Sequence, residues 1–152
     1  MKITKTGKAG IEMIKAFEGF RGTPYKCSAG VPTIGYGATF YMNGSRVQIG
    51  DVITIDHADK LLHFQVKLFV EEVTRTVKSN INDNQLGALV SFCFNVGGAA
   101  FSKSTLARKV NTNPNDSTIR NEFMRWTRGG GKVLPGLVKR REEEANLYYA
   151  AI

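Results

Sequence analysis

The segment NQLGALVSFCFNV, residues 84–96, constrains the fold most, because its apolar residues fall on nearly every side of a helix. A helix without a polar face is buried in a globular protein, so other elements must surround it. Asn82 or Asp83 can cap its start, and the pair Gly97 and Gly98 ends it. The sequence therefore predicts one central helix with the rest of the chain packed around it.

The other helical patterns are amphipathic, as expected for helices that cover a central one. Residues 8–18 place Ile11, Ile14 and Phe17 at spacings of three with charged residues between them, which predicts a short helix with Glu18 in its last turn. Capping and proline signals set the bounds of the rest. These further helices are predicted over 55–79, with Thr54 or Asp56 as the cap, about 102–110, about 116–127, and Pro135 to about Ala150.

A small sheet is predicted between the first two helices. Residues 19–50 are rich in Gly, Thr, Tyr, Val and Ile and contain the turn pair Asn43 and Gly44. This composition is typical of short β-hairpins. The segment RGGGK, residues 128–132, is predicted to be a flexible loop because three consecutive glycines favour no regular element.

The order of these elements predicts an α+β fold in a single domain. A chain of 152 residues is long enough for one compact core. The sheet lobe should cover about 19–53, and the helical lobe about 54–152 together with the N-terminal helix at 8–18. A cleft between the two lobes is the expected ligand site.

The chain is strongly basic, with 21 Lys and Arg against 13 Asp and Glu and a net charge of +8. Such a surface favours a polyanionic partner, and nucleic acid, an anionic membrane and the bacterial cell wall all meet that description. The basic residues are scattered, so the pattern does not predict a nucleic-acid groove. The segment KRREEE, residues 139–144, is predicted to form salt bridges on the surface of the last helix.

Cysteine and histidine positions predict neither a disulfide framework nor a metal site, and no cofactor is expected. Cys27 and Cys93 have no metal-ligating neighbours at the usual spacings. His57 and His63 do not share a face of their predicted helix. The chain has no signal-peptide pattern and no run of about 18 apolar residues, which predicts synthesis in the cytoplasm and no stable membrane insertion.

Three polar residues around the start of the sheet are candidates for chemistry, although each has an ordinary alternative. Glu18 can be a solvated charge, but Phe17 and Phe20 flank it and could produce a partly desolvated carboxyl that donates a proton. Cys27 could be a small buried apolar residue, and Thr33 is a common strand residue. Their spacing is a stronger signal than any of the three alone.

Glu18, eight intervening residues, Cys27, five more and Thr33 followed by IGYG resemble the catalytic signature of the phage-type lysozymes, the endolysins of glycoside hydrolase family 24. The middle position of that signature is Asp or, in some members, Cys. Residues 85–106 and 125–148 resemble the central and C-terminal segments of the same family. The resemblance implies a lysozyme-like fold and hydrolysis of the β-1,4 bond between N-acetylmuramic acid and N-acetylglucosamine in peptidoglycan, which lyses the host cell.

The resemblance also implies roles for individual residues. Glu18 is the implied general acid, and Cys27 with Thr33 is implied to hold the attacking water, which inverts the anomeric centre. Attack by the Cys27 sulfur, with retention, is the other route. Arg140 is implied to lie near the cleft, and Asn95 either hydrogen-bonds substrate or caps its helix. The remaining residues expected to bind substrate are Tyr25, Gly35 and Tyr36.

Other functions stay open from the sequence. The missing carboxylate at Cys27 would suit a wall-binding module with a decayed active site, and a lytic transglycosylase would cleave the same polymer. A nucleic-acid-binding protein fits less well, since the aromatic residues are not interleaved with Lys and Arg. We expect a monomer that acts on peptidoglycan strands at the cell wall. The resemblance implies that its release depends on a holin, a membrane-permeabilising partner.

Overall fold

The computed structural model describes residues 4–26 and 30–151, with side chains described from residue 8 onward. Helices dominate this part of the chain, and four short strands form two separate two-stranded sheets. The α+β class predicted from the sequence is confirmed. The elements are α1 Thr4–Glu18, β1 Arg21–Lys26, β2 Pro32–Gly35, α2 Ile55–Thr76, α3 Asp83–Val96, α4 Gly98–Ser102, α5 Thr105–Thr112, α6 Ile119–Met124, β3 Arg128–Gly129, β4 Lys132–Val133 and α7 Pro135–Tyr149.

Helix α3 is the centre of the fold, as its apolar sequence predicts. It packs against α1, α2 and α7. Phe92 at its middle is fully buried and makes edge-on ring contacts with Phe101, Phe123 and Trp126. Of the two predicted caps, Asn82 is the one used: its side chain accepts from the Gln85 amide, and Gln85 reaches back to the Asn82 amide.

Helix α2 begins after Thr54, whose hydroxyl accepts from the His57 amide, and ends earlier than predicted. The chain turns into an extended conformation at Val77, because the helix end is tied to α5. The Asn111 side chain accepts from the Lys78 amide at 2.6 Å and donates to the Thr76 carbonyl at 2.8 Å. These long-range bonds replace the last helical turn that the pattern predicted.

The small lobe has less regular sheet than expected. Strands β1 and β2 are antiparallel, with Tyr25 opposite Thr33 and Arg21 opposite Gly35 and an irregularity between them. Beyond β2 only isolated bridges continue the sheet, such as the one between Phe40 and Arg46. Side-chain bonds hold the rest of this segment: the Tyr41 hydroxyl, for example, donates to Asp51 at 2.7 Å.

Three predictions for the second half need correction. The helix expected near 102–110 is two helices, α4 and α5, because the Ser104 hydroxyl caps a new start at Thr105. Helix α6 is shorter than the predicted 116–127, since Asp116 forms a turn with Thr118 before it. The predicted loop at 128–132 is a tight antiparallel hairpin, β3–β4, whose two turn glycines have positive φ.

The predicted surface salt bridges of KRREEE are also wrong for half of the segment. Arg140, Arg141 and Glu144 are buried in the interface between α7 and α3, whereas Lys139, Glu142 and Glu143 are exposed.

Within the described ranges, 4–26 and 30–151, no helix combines the length and apolar character needed to cross a bilayer.

Candidate active site

Glu18 is the last residue of α1, and a glycine turn directs its carboxyl into the space between the lobes. Gly19 follows with φ of 69° and donates its amide to the Lys15 carbonyl at 2.9 Å, which ends the helix and starts the small lobe. The Glu18 side chain is 22% exposed. The carboxyl is therefore partly buried while one side stays open to a ligand.

Gly37 makes room for this carboxyl. It has φ of 92°, and a Cβ placed on it would lie 3.3 Å from Glu18 Oε1. The last glycine of the IGYG segment therefore lets the backbone approach the acid closely, in a conformation that other residues rarely adopt.

A cleft of about 240 Å³ opens beside Glu18. One wall comes from the small lobe and the other from the C-terminal end of α3. The lining residues are Glu18, Tyr25, Thr33, Gly37, Thr39, Phe94 and Asn95. The structure thus brings together four of the residues singled out from the sequence, namely Glu18, Tyr25, Thr33 and Asn95.

Arg140 reaches Glu18 from the helical side. Its Nη1 donates to Glu18 Oε2 at 2.9 Å, and only 4% of the residue is exposed. Its Nη2 donates to the Ser91 carbonyl at 3.2 Å, and its guanidinium lies over the Phe17 ring at 5.4 Å. A buried, charge-assisted hydrogen bond of this kind holds the Glu18 carboxyl in one orientation.

Thr33 faces the cleft from strand β2 and is almost completely buried. Its hydroxyl donates to the Val31 carbonyl at 3.0 Å. Since its hydrogen is already used, the oxygen remains an acceptor for a hydrogen from a bound water or a sugar hydroxyl. Cys27, the second residue of the predicted signature, lies outside the described residues.

Gly35 and Tyr36, which we expected to contact substrate, do not line this cleft. The Tyr36 ring is 8% exposed and packs 5.8 Å from the Phe20 ring, with the Lys15 ammonium 5.6 Å from its centre. Gly35 has φ of 66°, and a Cβ there would lie 3.2 Å from the Ala58 Cβ. Both positions join the small lobe to α1 and α2.

Asn95 does not cap its helix. Helix α3 continues to Val96, and Gly97 ends it with its amide bonded to the Cys93 carbonyl. The Asn95 Oδ1 instead accepts from Arg141 Nη2 at 2.6 Å, while the residue lines the cleft. The structure therefore places Asn95 at the cleft rather than at a helix cap, and its hydrogen bond to substrate stays a prediction.

A buried charge cluster behind the cleft was missed by the sequence reasoning. Glu144 is fully buried and contacts Arg140, Arg141 and the Ser91 hydroxyl. Burial raises the pKa of the Glu144 carboxyl, and Arg141, Ser91 and Arg140 oppose that rise. Burial likewise lowers the pKa of Arg141, against the attraction of Glu144. The three-residue and four-residue spacings within KRREEE were visible, but they do not distinguish a buried pair from an exposed one.

The remaining cysteine and the acidic and histidine residues offer no second centre. Burial, reinforced by the nearby Glu72 carboxylate, raises the pKa of the Cys93 thiol to about 12, so this thiol is neutral and unreactive. Among the residues that the structure describes, no three His, Cys, Asp or Glu side chains are grouped closely enough to hold a metal ion.

Comparisons with known proteins point to one family. The phage lysozyme family profile matches residues 15–144. An endolysin of Bacillus phage B103 is 44% identical over 146 residues, which is 93% of this chain and 52% of the relative. An endolysin of Acyrthosiphon pisum secondary endosymbiont phage 1 is 38% identical over 93% of this chain and 96% of its own length. The chain spans about half the length of the Bacillus phage endolysins that it matches.

A solved structure shows the same fold over the whole chain. The endolysin from Escherichia coli O157:H7 phage FAHEc1 superposes with a TM-score of 0.87 at 33% identity, covering 100% of this chain and 96% of that one. The profile match covers most of the sequence, and the predicted lysozyme-like fold is confirmed. The chain belongs to the phage lysozyme family.

Proposed function

We propose that this protein is a muramidase that hydrolyses the β-1,4 bond between N-acetylmuramic acid and N-acetylglucosamine in bacterial peptidoglycan. The observation that carries the proposal is a single carboxyl, Glu18, held by Arg140 at 2.9 Å in a cleft that Thr33 and Asn95 also line. Family membership supports the same conclusion. Its net charge of +8 suits a wall polymer that carries acidic groups.

Glu18 is the general acid of the proposed reaction. Cleavage requires a proton on the oxygen of the leaving sugar, and in the described part of the cleft lining no other carboxyl is present. Arg140 holds this carboxyl in one orientation, and a bound saccharide displaces water from its open side.

Thr33, together with Cys27, positions the attacking water in this proposal. The Thr33 hydroxyl hydrogen is committed to the Val31 carbonyl, so the oxygen accepts a hydrogen from the water and turns the lone pair of that water toward the sugar. Cys27 is assigned the same role from its spacing to Glu18 and Thr33 in the sequence. An inverted anomeric product, detected by NMR in deuterated buffer, supports this route, whereas a retained anomer indicates attack by sulfur.

Replacement of the acid tests the proposal most directly. Glu18→Gln keeps the size of the side chain but removes the ionisable proton, and we expect the release of reducing ends from purified sacculi to fall at least about a hundredfold. Glu12→Gln, at an exposed position on the same helix, is the matched control and should retain wild-type activity. Near-normal turnover by Glu18→Gln would falsify the assignment of the acid.

Product analysis separates the alternatives. Reducing N-acetylmuramic acid ends indicate hydrolysis, while anhydro ends indicate a lytic transglycosylase. Sedimentation with sacculi but no new ends indicates a wall-binding module with a decayed site. Dependence on a holin for release, action at the wall after the membrane has been permeabilised, and a monomeric state belong to the same proposal. Timed lysis with and without a co-expressed holin, and sedimentation equilibrium, would test them.

A further inference from the structure

Glu144 lies at the centre of the buried cluster behind the cleft. Its Oε2 accepts from the Ser91 hydroxyl at 2.6 Å and from Arg140 Nε at 3.3 Å. Its Oε1 lies 2.9 Å from Arg141 Nε. Neither Glu144 nor Arg141 is exposed to solvent. One carboxyl therefore holds two guanidinium groups side by side in the interface between α7 and α3.

Each guanidinium reaches a different residue of the cleft. Arg140 continues to Glu18 through Nη1, at 2.9 Å. Arg141 continues to Asn95 through Nη2, at 2.6 Å, and its guanidinium also lies 4.9 Å from the centre of the Phe92 ring. The two branches start from the two oxygens of Glu144 and end on two residues that line the same cleft.

We infer that Glu144 is a positioning residue for the acid, one that sets the orientation of Glu18 through Arg140. This inference rests on the proposed function of Glu18. A guanidinium held at Nε by a carboxylate and at Nη2 by a backbone carbonyl cannot rotate, so its Nη1 presents one fixed direction to Glu18. Without Glu144, the Arg140 side chain loses one of these two anchors.

The charge of Glu144 matters as much as its geometry. Arg140 and Arg141 together place two positive charges behind the cleft, and the Glu144 carboxylate neutralises one of them. With Glu144 uncharged, the ion pair between Glu144 and Arg140 Nε is lost, and Arg140 is held mainly by the Ser91 carbonyl at Nη2.

Glu144→Gln tests the inference, because the amide keeps the shape of the carboxyl and removes only its charge. We expect kcat on purified sacculi to fall roughly tenfold or more with KM nearly unchanged. Glu143→Gln, on the exposed side of the same helix, is the control and should leave kcat unchanged. An unchanged kcat in folded Glu144→Gln would overturn the inference.

A second variant keeps the test decisive if Glu144→Gln does not fold. Ser91→Ala removes the hydroxyl that donates to Glu144 Oε2 but leaves all four charges in place. We expect kcat to fall several-fold with KM nearly unchanged, and unchanged kcat overturns the inference. The wild-type protein separates this failure from that of the proposed function: if it releases no new ends, the proposed function is wrong, and if it is active while both variants match it, only the role of Glu144 is wrong.

Discussion

The two sides of the Glu18 carboxyl are formed by different kinds of contact, buried charged side chains on one side and backbone turns on the other. On the helical side, Arg140 is anchored by Glu144 and Ser91 in a fully buried cluster of charges. On the small-lobe side, the acid meets the backbone of Gly37, and the lobe itself has only two short paired strands. The helical side therefore fixes the acid by charge and burial, and the small-lobe side shapes the space in front of it by backbone turns.

This difference indicates that the helical side of the site stabilises the fold, while the small-lobe side sets the shape of the cleft. Removing one member of a buried charge cluster leaves its partners without compensation and costs folding free energy. Changing a glycine turn alters the distance to the carboxyl while leaving the core of α3 untouched. Three substitutions test whether the two sides really divide the work in this way.

Removal of Arg140 should produce the largest effect. Arg140→Met keeps an unbranched, mostly apolar side chain but leaves Glu144 with a single guanidinium partner and Glu18 with none. We expect the free energy of unfolding to fall by about 3–5 kcal/mol. Urea unfolding measures it, and Lys139→Met, at the exposed neighbouring position, is the control and should change it little. Equal midpoints for both variants would show that the cluster does not stabilise the fold.

Substitution of Gly37 should have an intermediate effect and act mainly on activity. In Gly37→Ala the new Cβ lies 3.3 Å from Glu18 Oε1 in a backbone conformation with φ of 92°. The strain should lower the free energy of unfolding by about 1–2 kcal/mol. Displacement of the carboxyl should lower kcat by roughly tenfold.

Gly44→Ala is the matched control for the cost of backbone strain. Gly44 has φ of 86°, and a Cβ there would meet no atom within 4 Å. The two variants should therefore lose similar stability, while only Gly37→Ala loses activity. Similar losses of kcat in both would mean that the close approach of Gly37 to Glu18 has no catalytic consequence.

The same division decides what could be predicted from the sequence. The small-lobe side could be predicted from the sequence, because Glu18, Thr33 and the IGYG turn lie within twenty residues of one another and their spacing is the signal. Helix α3 was readable because its residues are apolar on nearly all sides. Local patterns of this kind indicate whether a segment is buried and which side chains lie close together.

The buried charge cluster on the helical side could not be predicted from the sequence, for a physical reason. Arg140, Arg141 and Glu144 have the charges and spacing of an ordinary exposed helix, and only the packing of α7 on α3 buries them. The lost turn at the end of α2 and the hairpin at 128–132 depend in the same way on contacts made after folding. The packing of the Tyr36 ring beside Phe20 could not be predicted either, since a Tyr beside a glycine turn has the same sequence pattern whether it faces a ligand or the core.

The smallest effect is expected at a partly exposed ion pair between α1 and α2, the two helices on which Tyr36 and Gly35 of the small lobe pack. Lys15 of α1 contacts Asp59 of α2, and its ammonium lies over the Tyr36 ring. The hydrogen bond from Lys15 holds the pKa of Asp59 below its usual range, so this carboxylate stabilises the fold above its unfolded pKa of about 3.9 and the contribution disappears as pH falls through the lower folded value.

Asp59→Asn should therefore lower the free energy of unfolding at pH 7 by less than about 1 kcal/mol, since the Asp59 side chain is 37% exposed and the pair is screened by solvent. The difference from wild type should shrink as pH falls from about 5 to about 2. Glu71→Gln, an exposed change on the same helix, should show no such pH dependence. A pH-independent loss of several kcal/mol in Asp59→Asn would mean that the attachment of the small lobe to α1 and α2 also depends on buried charges, and the contrast between the two sides of Glu18 would weaken.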